Sequence, residues 1–260
     1  MNRLPVLFLG HGNPMNVLDA ANRFNLGFAR VAQSFPKPRA ILMVSAHWYG
    51  LALEVSSAAQ PELIYDFYGF PDTLYQVGYP AAGSPDLAAR TAELLSDSGI
   101  RQNPARGLDH GTWAVLKHLY PEANIPVVQL SIDSRLTAAE HFELARKLRP
   151  LRDEGVLIVG SGNIVHNLRL MDRNRPDDPL CYGWAATFAE HINRALQQGD
   201  TQSLIGYDGL GENAALAVPT PEHYLPLLYV AALRDEDEQA AIFNDEIVGG
   251  SLSMTSVKIG

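Results

Sequence analysis

Three short apolar runs, each followed by small residues and a histidine, constrain the fold of this chain more than any other feature. They are residues 4–9 before His11, residues 40–44 before His47, and residues 156–159 before His166. Continuous apolar runs of this length are typical of strands buried on both faces of a sheet. In open α/β sheets, ligands bind at the carboxyl ends of the strands. The sequence therefore predicts that these imidazoles converge at one edge of a sheet.

The segments between the runs predict the rest of an α/β fold. Residues 17–34 can form a helix that ends before Pro36, so the chain begins with a βαβ unit whose strands are parallel. Further helices are predicted at 84–96, 137–152 and 182–196, further strands at 51–56 and 125–132, and two closing antiparallel strands at 240–247 and 251–259 around the turn Gly249-Gly250. We predict a mostly parallel central sheet flanked by helices, with a metal site at the carboxyl ends of its strands.

Length and composition favour one domain. The chain has 260 residues and 47% hydrophobic content, which can fill a sizeable core. No change of composition or flexible linker divides it, so we predict a single domain over residues 1–260, with an exposed loop at 171–179.

Charge and cysteine content exclude several classes of partner. A net charge of -9 provides no basic face, so neither nucleic acid nor an anionic membrane is an expected partner. The single Cys181 excludes an internal disulfide and a thiolate metal cluster, which fits the cytoplasm as location. No apolar run is long enough to span a membrane, and none resembles a signal peptide.

Two more histidines are placed where a side chain can face a cleft. His110 follows Asp109 in the turn before a predicted helix, and His223 lies in the first helical turn after Thr220-Pro221. His118, His141 and His191 lie within predicted helices and are interpreted as structural. No spacing such as His-Glu-x-x-His fixes a ligand set locally, so the pattern leaves both a metal site and ordinary structural histidines open. Phe67 and Tyr68 belong to an aromatic segment that suits either core packing or the wall of a site for a planar substrate.

Taken together, these stretches resemble the class III extradiol ring-cleavage dioxygenases, in particular the group similar to 4,5-DOPA dioxygenase. The similarity spans nearly the whole chain. The matching segments are residues 10–15, 45–48, 66–71, 109–113, 160–168 and 219–226.

The resemblance implies a catalytic domain that uses one divalent metal, with iron(II) expected for catalysis, to cleave a catechol such as DOPA with dioxygen to a muconic semialdehyde. By position, the expected metal ligands are His11, His47 and His223. His166 is the expected acid/base residue and can approach the metal, and His110 is the second choice for acid/base catalysis. Asp109, Phe67 and Tyr68 are expected to contact the substrate. A third imidazole in place of a carboxylate is typical of zinc sites, so zinc is an alternative bound metal.

Two other functions are compatible with the same residues. A zinc hydrolase would use three histidines to activate a water molecule, and it would consume no oxygen. A non-catalytic binding module would keep the fold and bind a small molecule without turnover. The oligomeric state is open.

Overall fold

Ten strands form the sheets of the computed structural model, which describes residues 3–260. They are β1 (Val6–Gly10), β2 (Ala40–Gly50), β3 (Glu54–Ser56), β4 (Arg101–Asn103), β5 (Val127–Asp133), β6 (Val156–Gly162), β7 (Ala240–Phe243), β8 (Ile247–Val248), β9 (Leu252–Ser253) and β10 (Ser256–Ile259). Eight of them form the central sheet in the order β4-β3-β5-β2-β6-β1-β10-β7. The four central strands, β5, β2, β6 and β1, are parallel. Antiparallel pairing occurs between β3 and β5, between β1 and β10, and between β10 and β7.

Helices cover both faces of this sheet. They are α1 (Arg23–Ala32), α2 (Asp72–Tyr75), α3 (Pro85–Leu94), α4 (His110–Leu119), α5 (Ala138–Arg146), α6 (Pro150–Asp153), α7 (Gly183–Gln198), α8 (Thr201–Ile205), α9 (Glu212–Ala217) and α10 (Leu225–Ala231). Short 3-10 helices lie at Pro14–Leu18, Ser96–Ser98, Tyr207–Leu210 and Pro221–His223. Among residues 3–260, no helix combines the length and the apolar character that a membrane crossing requires.

Alternate side chains of the central strands belong to two separate cores. Phe8 of β1 packs in the core beneath α5, α7 and α10, whereas Leu7 and Leu9 pack in the core beneath α1 and α4. All three side chains are fully buried. Because both faces of the sheet are covered, both sets of side chains must be apolar, which is why these strands are continuous apolar runs in the sequence. The topology confirms the predicted α/β class with a mostly parallel central sheet.

The order of the strands differs from the simplest expectation. β1 and β2 are parallel, as predicted for a βαβ unit, but they are not neighbours because β6 lies between them. The predicted closing strands are present as β7 and β10. The turn at Gly249-Gly250, however, joins the separate short pair β8 and β9.

Three predicted elements are shorter or divided. The helix predicted at 17–34 is divided because the side chain of Asn22 accepts a hydrogen bond from the Phe24 amide and starts α1 there. The helix predicted at 137–152 is divided into α5, which ends at Arg146, and the short helix α6, which begins at Pro150. The strand predicted at 51–56 begins only at Glu54.

Candidate active site

Five histidines line one cavity of about 490 Å³ at the carboxyl ends of the parallel strands. His11 directly follows β1, His47 lies in β2, and His166 follows β6, so the three strand-end histidines come together as the sequence pattern predicts. The other two start or precede helices: His110 is the first residue of α4, and His223 ends the 3-10 helix before α10. The remaining histidines, His118, His141 and His191, do not line this cavity.

Three of these imidazoles are spaced as ligands of one metal ion. The ring centroids of His11, His47 and His223 are 5.0–5.2 Å apart in every pair. One ring nitrogen from each lies within 4.8 Å of the others. The Nε2 atoms of His11 and His47 are 3.2 Å apart. Two ligands that each lie about 2.0–2.1 Å from a metal, at tetrahedral or octahedral angles, are about 2.8–3.4 Å apart, so this spacing fits a shared ion.

The hydrogen bonds of Ser161 determine which nitrogen of His11 carries the proton. The Ser161 hydroxyl donates to the carbonyl oxygen of Gly111 at 2.6 Å. Its oxygen can then accept a hydrogen bond from Nδ1 of His11, which is 3.0 Å away. A neutral His11 ring protonated at Nδ1 directs the lone pair of Nε2 towards His47.

Asp66 determines in a similar way which ring nitrogen of His47 carries the proton. Its Oδ2 lies 3.1 Å from Nδ1 of His47, and its Oδ1 lies 2.9 Å from Nδ1 of His110 and accepts from the His110 backbone amide at 3.0 Å. Partial burial raises the pKa of Asp66, but the hydrogen bonds from His110 and His47 outweigh it and hold the pKa well below its usual value. An ionised Asp66 accepts both Nδ1 protons, so the Nε2 of each ring is unprotonated while the ring is neutral.

This arrangement leaves two lone pairs facing each other. Nε2 of His11 and Nε2 of His47 are both acceptors when the rings are neutral, and at 3.2 Å they repel unless a cation lies between them. Burial lowers the pKa of His11 far below its usual value, and the neighbouring imidazoles lower it further. Protonation of His11 is therefore unfavourable as a way to separate the two lone pairs. A metal ion with nitrogen ligands fits the donor set.

His223 and His166 form the other side of the cluster. Nδ1 of His223 lies 3.2 Å from Oε1 of Glu222, and the same oxygen accepts a hydrogen bond from the Thr220 hydroxyl at 2.8 Å. The rings of His166 and His223 are stacked, with centroids 3.5 Å apart and planes within 5°. Burial lowers the pKa of His166 to about 4 and the pKa of His223 well below its usual value. Both rings are therefore neutral at neutral pH, the form that binds metals and accepts protons.

The cavity wall beyond the histidines is mostly apolar. Phe67 contacts the ring of His110 edge-on, with centroids 5.4 Å apart. The wall also includes Phe70, Leu168, Met171, Pro176 and Leu252, together with Gly12, Asn13, Pro14 and Arg173. The structure thus places Phe67 on the wall that a planar substrate would contact.

Two residues expected to contact the substrate lie elsewhere. Tyr68 is 93% exposed and does not line the cavity. Asp109 is fully buried beneath the site. Its carboxylate accepts hydrogen bonds from Ser45, Arg106 and Gln129, each at 2.7 Å, and its Oδ1 accepts from the Thr112 amide at the start of α4. Asp109 therefore supports the strands and α4, and a substrate has no access to it.

Asp66, Ser161 and Arg173 were not selected from the sequence. Asp66 directly precedes the aromatic segment at 67–70, and Ser161 is one of the small residues that follow the third apolar run. Each of these two residues is a polar side chain within a segment that the sequence already indicates as part of the site, and this position is the signal by which it could have been found. Arg173 lies in the predicted exposed loop and gave no comparable signal.

A comparison with known proteins identifies the class. Residues 16–256 match the family model described as the catalytic LigB subunit of aromatic ring-opening dioxygenase. The chain belongs to this family, and it is an extradiol ring-opening dioxygenase, which confirms the resemblance seen in the sequence. The domain bounds 1–260 and the roles of the individual site residues stay predictions.

Individual relatives narrow the group within that class. The chain is 48% identical over 262 residues to the 4,5-DOPA dioxygenase extradiol of Escherichia coli (strain K12), covering 99% of this chain and 95% of the relative. It is 39% identical over 256 residues to the enzyme of the same name from Beta vulgaris, covering 96% of this chain and 94% of the relative. The crystal structure of an uncharacterized protein from Escherichia coli K12 superposes with a TM-score of 0.86 at 45% identity, covering 99% of this chain and 100% of that chain.

Proposed function

We propose that this enzyme uses one divalent metal, iron(II) in its active form, to cleave a catechol such as DOPA beside its hydroxyl groups with dioxygen, giving a muconic semialdehyde. The observation that carries the proposal is the pair of Nε2 lone pairs of His11 and His47, 3.2 Å apart, with a nitrogen of His223 within 4.8 Å. The names of the relatives, 4,5-DOPA dioxygenase extradiol, support the choice of substrate class.

His11, His47 and His223 would hold the metal. With iron(II) held by these residues, the site would be able to bind a catechol and dioxygen side by side and to pass electron density between them. Zinc accepts the same three imidazoles, so purified protein that contains zinc is consistent with this ligand set.

His110 is suited to remove a proton from a catechol hydroxyl. Its Nδ1 is 2.9 Å from Asp66, so Nε2 of the neutral ring is free to accept a proton. Burial lowers the pKa of His110, while the adjacent Asp66 carboxylate opposes this effect and stabilises the imidazolium once it has formed. This is the usual arrangement of a general base oriented by a carboxylate.

His166 provides a second proton acceptor on the opposite side of the cluster. Its ring is stacked on His223, and a ring nitrogen lies within 4.8 Å of a carboxylate oxygen of Glu222. With a pKa lowered to about 4 by burial, it is neutral at neutral pH and can take up a proton and return it during one turnover. Together, the apolar walls and the two histidines hold a planar ring, exclude water and move its protons.

Oxygen uptake by iron(II)-reconstituted protein tests the proposal. The protein is incubated under reducing conditions with a small panel of catechols that includes DOPA, and formation of a yellow ring-opened product is followed at the same time. We expect one molecule of oxygen consumed for each ring opened. The His47→Asn variant should be inactive, and the matched His191→Asn variant, whose histidine lies in α7 outside the cavity, should be active.

The controls separate the two alternative functions. Protein that binds iron but consumes no oxygen with any catechol would contradict the proposal. Release of a hydrolysis product from an ester or amide by zinc-loaded protein would then favour a hydrolase. Tight catechol binding without turnover by either form would favour a binding module.

A further inference from the structure

The cavity contains one side chain with a fixed charge, and that charge is positive. Among the cavity-lining residues in the described part of the chain, Arg173 is the only arginine, lysine, aspartate or glutamate. Its side chain is exposed, so it lies at the mouth of the cavity and not at the histidine end. A guanidinium stays protonated at any pH at which the enzyme works.

Arg173 has no protein partner within residues 3–260, unlike the neighbouring arginine of the same loop. Arg175 pairs with Asp178 at 2.6 Å, whereas no carboxylate or carbonyl oxygen of the described residues makes an ion pair or hydrogen bond with Arg173. The adjacent Asp172 uses its Oδ1 to accept from the Asn174 amide at 3.0 Å and so closes its own turn. An unpaired guanidinium on a cavity wall is available to a ligand.

The backbone holds this segment against the body of the protein. The amide of Asp172 donates to the carbonyl of Gly249 at 2.8 Å, and the amide of Gly249 donates to the carbonyl of Asp178 at 3.1 Å. The loop is therefore fixed on both sides of Arg173 by the turn between β8 and β9. Glycine is favoured at position 249 because its backbone φ is +55° and a Cβ there would lie 3.0 Å from the carbonyl oxygen of Pro176 as well as 2.8 Å from Cε of Met171.

We propose that Arg173 binds the carboxylate of a substrate side chain, so that the enzyme selects catechols that carry an anionic group. The inference rests on the proposed function, because it assumes that the catechol hydroxyls face the histidines. The ring would then lie between Phe67, Phe70 and Leu168, and its substituent would extend towards the mouth. A protein with a net charge of -9 repels anions in general, so a single cation at the entrance can determine which anions enter.

Three catechols that differ in one substituent test this selectivity. They are 3-(3,4-dihydroxyphenyl)propionate, which is anionic, 4-ethylcatechol, which is neutral, and dopamine, which is cationic. We expect kcat/KM of the iron(II) enzyme to fall in that order. One charge-assisted hydrogen bond at a partly exposed site corresponds to a factor of about 5–30 in kcat/KM. Arg173→Gln should therefore reduce the ratio of kcat/KM for the anionic substrate to kcat/KM for the neutral substrate by about that factor.

Matched variants separate a specific contact from a general effect of charge. Arg175→Gln removes the same charge two residues away, outside the cavity, and should leave the ratio as in the wild type. Arg173→Glu should reverse the order and favour dopamine. Equal ratios in the wild type and Arg173→Gln, or an equal change in Arg175→Gln, would overturn the assignment of Arg173.

Anaerobic binding keeps the test independent of turnover. Titration of the same three catechols into the metal-loaded protein under argon gives their Kd values without cleavage. If no catechol is cleaved in air but the Kd ratio still depends on Arg173, the proposed reaction fails and the carboxylate site stands. If catechols are cleaved and neither ratio depends on Arg173, the reaction stands and the carboxylate site is wrong.

Discussion

Replacing Asp66 with asparagine should weaken metal binding without removing a ligand. The carboxylate accepts three hydrogen bonds, from Nδ1 of His47 at 3.1 Å and from Nδ1 and the backbone amide of His110 at 2.9 and 3.0 Å. An asparagine has one acceptor oxygen and one NH2 group in its place. Whichever ring faces the NH2 group must present an unprotonated Nδ1, and its proton then moves to Nε2.

The shifted proton determines the size of the effect. If His47 takes the Nε2 proton, it cannot bind a metal until it returns to the other tautomer. If His110 takes it, the ring can no longer accept a proton at the nitrogen that faces the cavity. Loss of a partner that orients a metal-binding histidine costs about 10–100-fold in metal affinity, or about 1.4–2.7 kcal/mol.

Competition with a chromogenic chelator measures this change directly. We expect the zinc Kd of Asp66→Asn to rise by about 10–100-fold relative to the wild type. Asp72→Asn, an exposed aspartate of α2, should bind zinc as the wild type does. Zinc affinity and oxygen uptake both unchanged in Asp66→Asn would refute the view that this carboxylate orients the two histidines.

Three further predictions concern separate parts of the molecule. His223→Ala should lose metal, whereas His166→Ala should keep it and lose turnover; equal metal loss by elemental analysis would contradict the separation of roles. Burial lowers the pKa of His141 to about 4, so the unfolded chain takes up a proton near pH 6.5 that the folded chain takes up only near pH 4. His141 should therefore contribute up to about 3 kcal/mol to the fall in the free energy of unfolding as the pH falls across that window, and urea titrations of His141→Gln should show a fall that is smaller by this amount. Gly249 has φ +55°, so Gly249→Ala should shift Met171 and its loop and raise KM for the anionic catechol more than KM for the neutral one. An equal relative rise in the two KM values would contradict this.

The sequence was most informative where one residue and its immediate neighbours carry the signal. The strands that lead to His11, His47 and His166 were predictable because a strand covered on both faces needs a continuous apolar run. The convergence of their histidines followed from the common direction of parallel strands. The start of α3 was predictable for a similar local reason, since Ser84 caps the helix and Pro85 fits its first turn.

Partners that are distant in the sequence could not be predicted in this way. Asp66 and His110 are 44 positions apart, and only the folded chain shows that one carboxylate serves two rings. Asp109 was expected to contact the substrate, but helix capping and the side chains of Ser45 and Gln129 hold it inside the protein. The apolar pattern also does not predict that β6 lies between β1 and β2, because all three strands have the same pattern.

During synthesis, β1 leaves the ribosome first, but its two neighbours in the sheet are made much later. β6 begins at Val156 and β10 at Ser256, so a nascent chain carries β1 as an unpaired apolar strand until β6 has been made. Unpaired strands of this kind are sites of aggregation, and contacts between distant segments form slowly. His223 also emerges long after His11 and His47, so a partly made chain carries only two of the three proposed ligands. Both the pairing of β1 in the sheet and the completion of the proposed ligand set therefore depend on segments that are synthesised late.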